Sequence, residues 1–124
     1  MKPLKNIRIS QKAREQLIQL KRHTGLQHWN ELCRWAFCLS IADETVPLDS
    51  RMTADSSIEM TWEIFSGNHG DIYMSLLKQR CYKDNVEINP ENLLRYCKLH
   101  IHRGIDKMSK CKTLTSLLKL IDLN

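Results

Sequence analysis

No run of about 18 apolar residues occurs anywhere in this 124-residue chain, so no membrane-spanning helix is expected. The opening MKPLKNIR lacks the apolar centre of a secretory leader, which points to a soluble, cytoplasmic protein without membrane contact. There is no CxxC pair, the usual knuckle of a zinc site or an iron–sulfur cluster. A glycine-rich phosphate loop, a Ser-His-Asp set, internal repeats and low-complexity tracts are missing too. Together these absences argue against a membrane protein, a secreted disulfide scaffold and a self-contained enzyme. The five cysteines, Cys33, Cys38, Cys81, Cys97 and Cys111, are odd in number and scattered. With no export signal they read as reduced thiols, at least three of them small buried hydrophobes.

What is present fits one compact domain. A charged content of 27% and an apolar content of 42% exclude global disorder. A chain of this length buries roughly 65% of its unfolded surface. The net charge of +5 is unevenly spread. Residues 1–42 carry a net +6, residues 43–72 a net −6 and residues 73–124 a net +5. Basic ends around an acidic middle suggest an anionic partner.

Periodicity divides the chain as a basic strand-helix-helix unit (1–42), an acidic loop (43–57), and a strand with three helices (58–124). Ile7 and Ile9 alternate with Asn6, Arg8 and Ser10 as a short strand. Ser10 can cap a helix starting at Gln11, whose apolar face is Ala13, Leu17, Leu20 and Thr24. Gly25 supplies a left-handed stop, and Leu26 can fold back on Leu20. A second helix over 29–42 is apolar around most of its circumference, which predicts subunit pairing. Alternation in IEMTWEIF predicts a half-buried strand over 58–65 with Ile58, Met60, Trp62 and Ile64 on one side. A helix over 71–82 follows a glycine turn. Asn89-Pro90-Glu91 starts another that reaches Arg103 or beyond, with Gly104 as a bend or stop. A last helix covers 113–121. The expected fold is mainly α, a ribbon-helix-helix-like N-terminal unit plus further helices and one or two short strands.

Three features could carry chemistry. The first is the N-terminal unit, in the order of a ribbon–helix–helix module, where strands of two chains pair and their outer side chains enter the major groove. Asn6, Arg8 and Ser10 would face outward, Lys12, Lys21, Arg22 and His23 would meet phosphates, and the helix start near Gln27 and His28 would offer backbone N–H groups. A solvated amphipathic helix beside a small sheet explains the same pattern, and pattern alone leaves both readings open. The second is metal binding by Cys97, His100, His102 and Cys111, for which a converging ligand set is lacking. The third is hydrolysis at GNHGD by His69 and Asp71. A turn before a helix accounts for every residue there, Asp71 favouring the positive helix end. No metal and no cofactor are expected.

TGLQHWNELCRWAFCLSI, residues 24–41, closely resembles the TGL…LCRxAFCLSL segment of the DndE family of DNA sulfur-modification proteins. The acidic loop, EMTWEIFSGNHGDIYMSLLKQR and HIHRGIDKM (residues 100–108) extend the resemblance over nearly the whole chain. Leu26-Gln27-His28-Trp29-Asn30 departs from the family's Thr-Pro-Asn helix start. The resemblance implies a non-catalytic, cytoplasmic DNA-binding subunit of the machinery that replaces a non-bridging phosphate oxygen of DNA with sulfur. It implies a homo-oligomer, a tetramer, that prefers nicked double-stranded DNA. Its partners would be an ATPase subunit and an iron–sulfur, sulfurtransferase-like subunit. With the charge pattern, it selects Arg8, Lys12, Arg14, Lys21, Arg22 and His23 as the phosphate-facing set. Arg34 is either functional or held in an ion pair with Glu31. The alternatives are a ribbon–helix–helix transcription regulator, a nuclease using His69, and a scaffolding subunit without DNA contact.

Overall fold

Ser10 turns the extended N-terminal segment into the first helix. Its backbone is extended (φ −75°, ψ 161°) and its Oγ accepts the Ala13 N–H at 3.1 Å, which satisfies one of the free donors of the first turn. Helix α1 then runs Gln11–Thr24 and buries Ala13, Leu17, Leu20 and Thr24, the stripe expected from the sequence. Gly25 (φ +78°) stops it by donating its N–H to Lys21 O at 3.0 Å. Leu26 packs against the core. The computed structural model describes residues 4–48 and 56–122. They form a mainly helical single domain with one two-stranded antiparallel sheet.

The sheet joins β1 (Ile7–Arg8) to β2 (Glu59–Met60), with Ile7 opposite Met60 and Arg8 opposite Glu59. Ile7 and Ile9 are fully buried, as their alternation predicts. Ser56 closes the sheet end, its hydroxyl donating to Ile9 O at 2.8 Å. Of the acidic loop, residues 43–48 carry no helix or strand, and 49–55 lie outside the described residues.

The strand predicted over 58–65 is corrected. Alternation holds only for Ile58 and Met60. Thr61 then caps a short helix α3, Trp62–Ser66, by accepting the Ile64 N–H at 3.1 Å. Trp62, Phe65 and Ser66 bury at helical spacing, while Ile64, expected inward, is 55% exposed. A 3-10 turn, Gly67–His69, leads into α4, Gly70–Lys83.

Helix α2 (Trp29–Ala42) packs along α5 (Pro90–Met108), which also meets α1, α4 and β1. Gly104 neither bends nor ends α5. A Cβ there would lie 1.8 Å from Ala36 O, so this glycine is where the two helix backbones touch. The capping start of α5 is as expected, Asn89 Oδ1 accepting the Asn92 N–H at 2.8 Å before Pro90. Phe37 fills the α2–α3–α4 junction, edge-on to Phe65 and Tyr73 at centroid distances of 5.7 and 5.8 Å. Helix α6, Leu114–Asp122, packs against α1.

Candidate nucleic-acid interface

With Ala13, Leu17, Leu20 and Thr24 inward, the 100° step of an α-helix assigns each basic residue of α1 to a place. Arg22 and Glu15 fall on the crown, opposite the buried stripe. Arg14 and Lys21 fall on one flank, two turns apart, and Lys12 and His23 on the other. Lys12 and Arg22 are exposed or partly exposed at the helix surface, as are Arg14, Lys21 and His23. One helix thus displays five of the six expected residues over its solvent half, with Glu15 as its only acid. The sixth stands apart. Arg8 pairs with Glu59 at 2.9 Å and also donates to Ser56 O at 3.2 Å, so its guanidinium serves the sheet end. Both partners are substantially exposed, and such a pair contributes about 0–1 kcal/mol.

Lys21, Arg22 and His23 occupy the last turn of α1, where cations are favoured by the negative helix end. A phosphate approaching there meets that negative end, and the cations must outweigh it. The neighbouring element supplies the opposite field. Lys21 Nζ lies 3.9 Å from the centroid of the Trp29 ring, at the first position of α2. The N-cap of α2, His28, makes no side-chain cap. The Thr-Gly corner therefore joins an ammonium to the positive start of a 14-residue helix, an arrangement suited to an anion. The other flank of α1 gains two cations that sequence reasoning missed. Gln16 bonds to Asp106 (3.1 Å) and Ser109 (3.4 Å), which brings the α5–α6 turn with exposed Lys110 and Lys112 toward the Lys12 flank. Only the tertiary fold joins residues so distant in sequence.

The other candidates are held by the interior. Four of the five cysteines are buried, and burial pushes the Cys33 thiol up to about 12 and the Cys81 thiol to about 11. Cys97 is raised further by the same cause. Among the described residues no three His, Cys, Asp or Glu side chains converge to hold a metal. His100 Nδ1 is 2.8 Å from Ser40 Oγ, which also accepts Arg103 Nε at 2.7 Å. Ser40 Oγ thus links the His100 ring to the Arg103 guanidinium, while His100 Nε2 is buried without a hydrogen-bond partner among the described residues. Burial first, then the Arg103 and Arg80 charges, pull His100 down to about 3, so it is neutral. His102 accepts the Ser10 N–H at 3.1 Å and is also lowered, mainly by burial. His69 and Asp71 are both exposed, Asp71 in the first turn of α4.

Arg103 and Arg80 finish α2 in place of a glycine stop. Arg103 donates to Ser40 O (2.8 Å) and Thr45 O (2.9 Å), Arg80 to Ile41 O (3.0 Å) and Asp43 O (2.8 Å). Lys107, 2.7 Å from Asp43, holds that carboxyl well below the usual range, with Thr45 assisting. The segments LCRWAFCLSI and HIHRG thus meet through Ala36–Gly104, Ser40–His100 and Ser40–Arg103. They are the seam between α2 and α5. The expected Glu31–Arg34 ion pair is absent among the described residues.

A family model described as DNA sulphur modification protein DndE matches residues 6–116. No curated protein matches the chain. Among solved structures, DndE from Escherichia coli B7A, involved in DNA phosphorothioation modification, is 22% identical. The match covers 85% of this chain and 96% of that one, with a TM-score of 0.70. A glycine-to-lysine mutant of DndE involved in DNA phosphorothioation is 18% identical over 86% and 98% of the two chains, with a TM-score of 0.68. At these identities the likeness is one of fold. Among the described residues no helix is long and apolar enough to cross a membrane.

Proposed function

Because the chain belongs to the DndE family of DNA sulphur modification proteins, we propose that it is a non-catalytic, cytoplasmic subunit of that machinery which grips the DNA backbone. The observation that carries this reading is the solvent half of α1. Lys12, Arg14, Lys21, Arg22 and His23 are displayed there, continued at one end by the uncapped start of α2. Point charges on flexible stems, with helix-start N–H groups, read phosphates and not base edges. Binding is therefore strongly salt-dependent and weakly sequence-specific. Arg8 joins the set only if its pair with Glu59 opens. A nick makes a duplex easier to bend, so a nicked backbone follows a short curved basic face at lower deformation cost.

In this reading the chain works as a homo-oligomer, a tetramer, alongside an ATPase subunit and an iron–sulfur, sulfurtransferase-like subunit that perform the chemistry. The regulator alternative is less favoured, because β1 pairs with β2 of the same chain, an intrachain partner that the two-chain ribbon of that module does not use. Titration of the purified protein against intact, nicked and single-stranded DNA at two salt concentrations tests the proposal. Nicked duplex should bind at least as tightly as intact duplex, regardless of sequence, and affinity should fall steeply with salt. No binding to any duplex at low salt would refute it.

A further inference from the structure

Ser10 caps α1 with its side chain, and its own backbone N–H also needs an acceptor. In a capping box that acceptor is a Glu or Gln side chain at the third helical position. Here the third position is Ala13, whose methyl group accepts nothing. The sheet does not serve either, since its end is closed by Ile9, bonded through its N–H to Ile58 O and through its carbonyl to Ser56. The acceptor comes instead from α5, where His102 Nε2 takes the Ser10 N–H at 3.1 Å. The other ring nitrogen fixes the tautomer. His102 Nδ1 lies 2.6 Å from the Lys98 carbonyl, which can only accept, so Nδ1 carries the proton and Nε2 offers its lone pair. The ring is half-buried, and burial is the main cause that lowers its affinity for a second proton, with the Lys98 charge acting the same way. The other ionisable groups of the elements around it are engaged or turned outward. Arg8 pairs with Glu59, Asp106 accepts from Gln16, and Lys12, Arg14 and Glu15 lie on the solvent half of α1.

We propose that His102 is a positioning residue for the phosphate-facing helix, completing the cap of α1 from α5 and so fixing where Lys12 and Arg14 stand. Gln16 anchors the same helix to Asp106 and Ser109, further along α5. His102 is the anchor that a proton removes. With both nitrogens protonated, a ring N–H would face the Ser10 N–H, and the start of α1 would lose its hold on α5. The grip on an anionic backbone is therefore coupled to the protonation of a residue that does not itself touch DNA. The inference rests on the reading of α1 as the helix that meets phosphates.

Amide exchange by NMR and duplex titration test it on the full chain, as wild type, His102→Gln and His102→Phe. Gln Oε1 reaches the place of Nε2 and accepts the Ser10 N–H without taking up a proton, whereas Phe keeps the ring and accepts nothing. At neutral pH the Ser10 amide should exchange at the wild-type rate in the Gln variant and about tenfold faster in the Phe variant. Duplex affinity should follow, kept by Gln and reduced several-fold by Phe. Between neutral pH and about pH 5.5, Ser10 protection should fall several-fold in the wild type and stay constant in the Gln variant. The sign follows from the opened state, in which His102 takes up a proton near its ordinary value of 6.5. The wild-type affinity should fall relative to that of the Gln variant over the same range, the responses of His23 and His100 being common to both. Equal Ser10 protection in the Gln and Phe variants, or the same pH response in wild type and Gln variant, would overturn the proposal. So would an affinity that stays level while Ser10 protection changes, which would leave His102 a cap and nothing more. If the Phe variant does not fold, the comparison of wild type with the Gln variant across pH decides alone. A wild type that binds no duplex would overturn the grip reading and this role together, whereas failure of the His102 anchor leaves wild-type binding in place.

Discussion

Replacing Gly104 with alanine sets two physical arguments against each other. On helix propensity alone, Gly→Ala inside the 19-residue α5 should stabilise the protein by about 1 kcal/mol. The structure predicts the opposite. The new Cβ would stand 1.8 Å from Ala36 O, 2.3 Å from its carbonyl carbon and 2.5 Å from its Cα. A carbon–oxygen approach needs roughly 3 Å or more, so α2 and α5 must separate by roughly 1 Å, a gap that forfeits about a quarter to a half of each dispersion interaction. Backbone cannot rotate away as a side chain tip can. The cost along the main helix–helix seam is about 3 kcal/mol or more after the propensity gain. Against a total stability of about 5–15 kcal/mol, and a urea slope of about 1–3 kcal/mol per molar, the denaturation midpoint should fall by roughly 1–3 M. A second substitution, Ala36→Gly, should not rescue it, because the obstructing atoms are backbone. A Gly104→Ala protein as stable as the wild type would refute the close crossing.

The combined change Lys21→Ala/Arg22→Ala should weaken duplex binding for every sequence and flatten its salt dependence by about one slope unit for each phosphate no longer neutralised; an unchanged slope in a binding titration would remove both residues from the interface. Acidification from neutral pH to about pH 5 should destabilise the fold. His100 is neutral when folded, with a pKa of about 3, and titrates near 6.5 when unfolded. Its contribution is therefore complete above about pH 6.5 and falls toward pH 3, amounting to about 2 kcal/mol less stability by pH 5. His102 adds in the same direction, and a urea midpoint that does not move over this range would count against both. Thr61→Ala should cost about 1 kcal/mol by removing the cap of α3, while Thr61→Ser should cost much less; equal stability of the two by thermal melting would show that the cap contributes nothing.

The contrast between Gly25 and Gly104 shows where sequence reading succeeds. Gly25 follows a helical stripe and a basic last turn, so its left-handed stop could be read locally, and the structure places it at φ +78° with open space around it. Gly104 lies inside an equally periodic stretch, and nothing local says that another backbone presses on it. The same distinction explains the lost strand. Ile58, Met60, Trp62 and Ile64 satisfy a period of two by coincidence, because Trp62, Phe65 and Ser66 satisfy a helical spacing as well. The cap at Thr61 decides between them.

The candidate interface divides likewise. The cations of α1 and the Thr-Gly corner could be named from sequence because side chains on one helix are ordered by its fixed pitch. Lys110 and Lys112 could not, since their approach to α1 depends on Gln16 reaching Asp106 and Ser109. Nor could sequence show that Glu31 and Arg34, well spaced to pair, would remain apart.

By itself the sequence determined where α1, α2 and α5 begin, which faces they bury and which family the chain resembles. Each of those rests on interactions spanning a turn or two, where backbone geometry leaves few choices. The tertiary structure alone decided that β1 pairs with β2 some fifty residues away, that Ser40 meets His100 and Arg103, and that Arg34 lies across Gly67. Those contacts depend on which surfaces close on one another once the chain collapses, and a two-residue strand or a single glycine carries too little local signal to announce them.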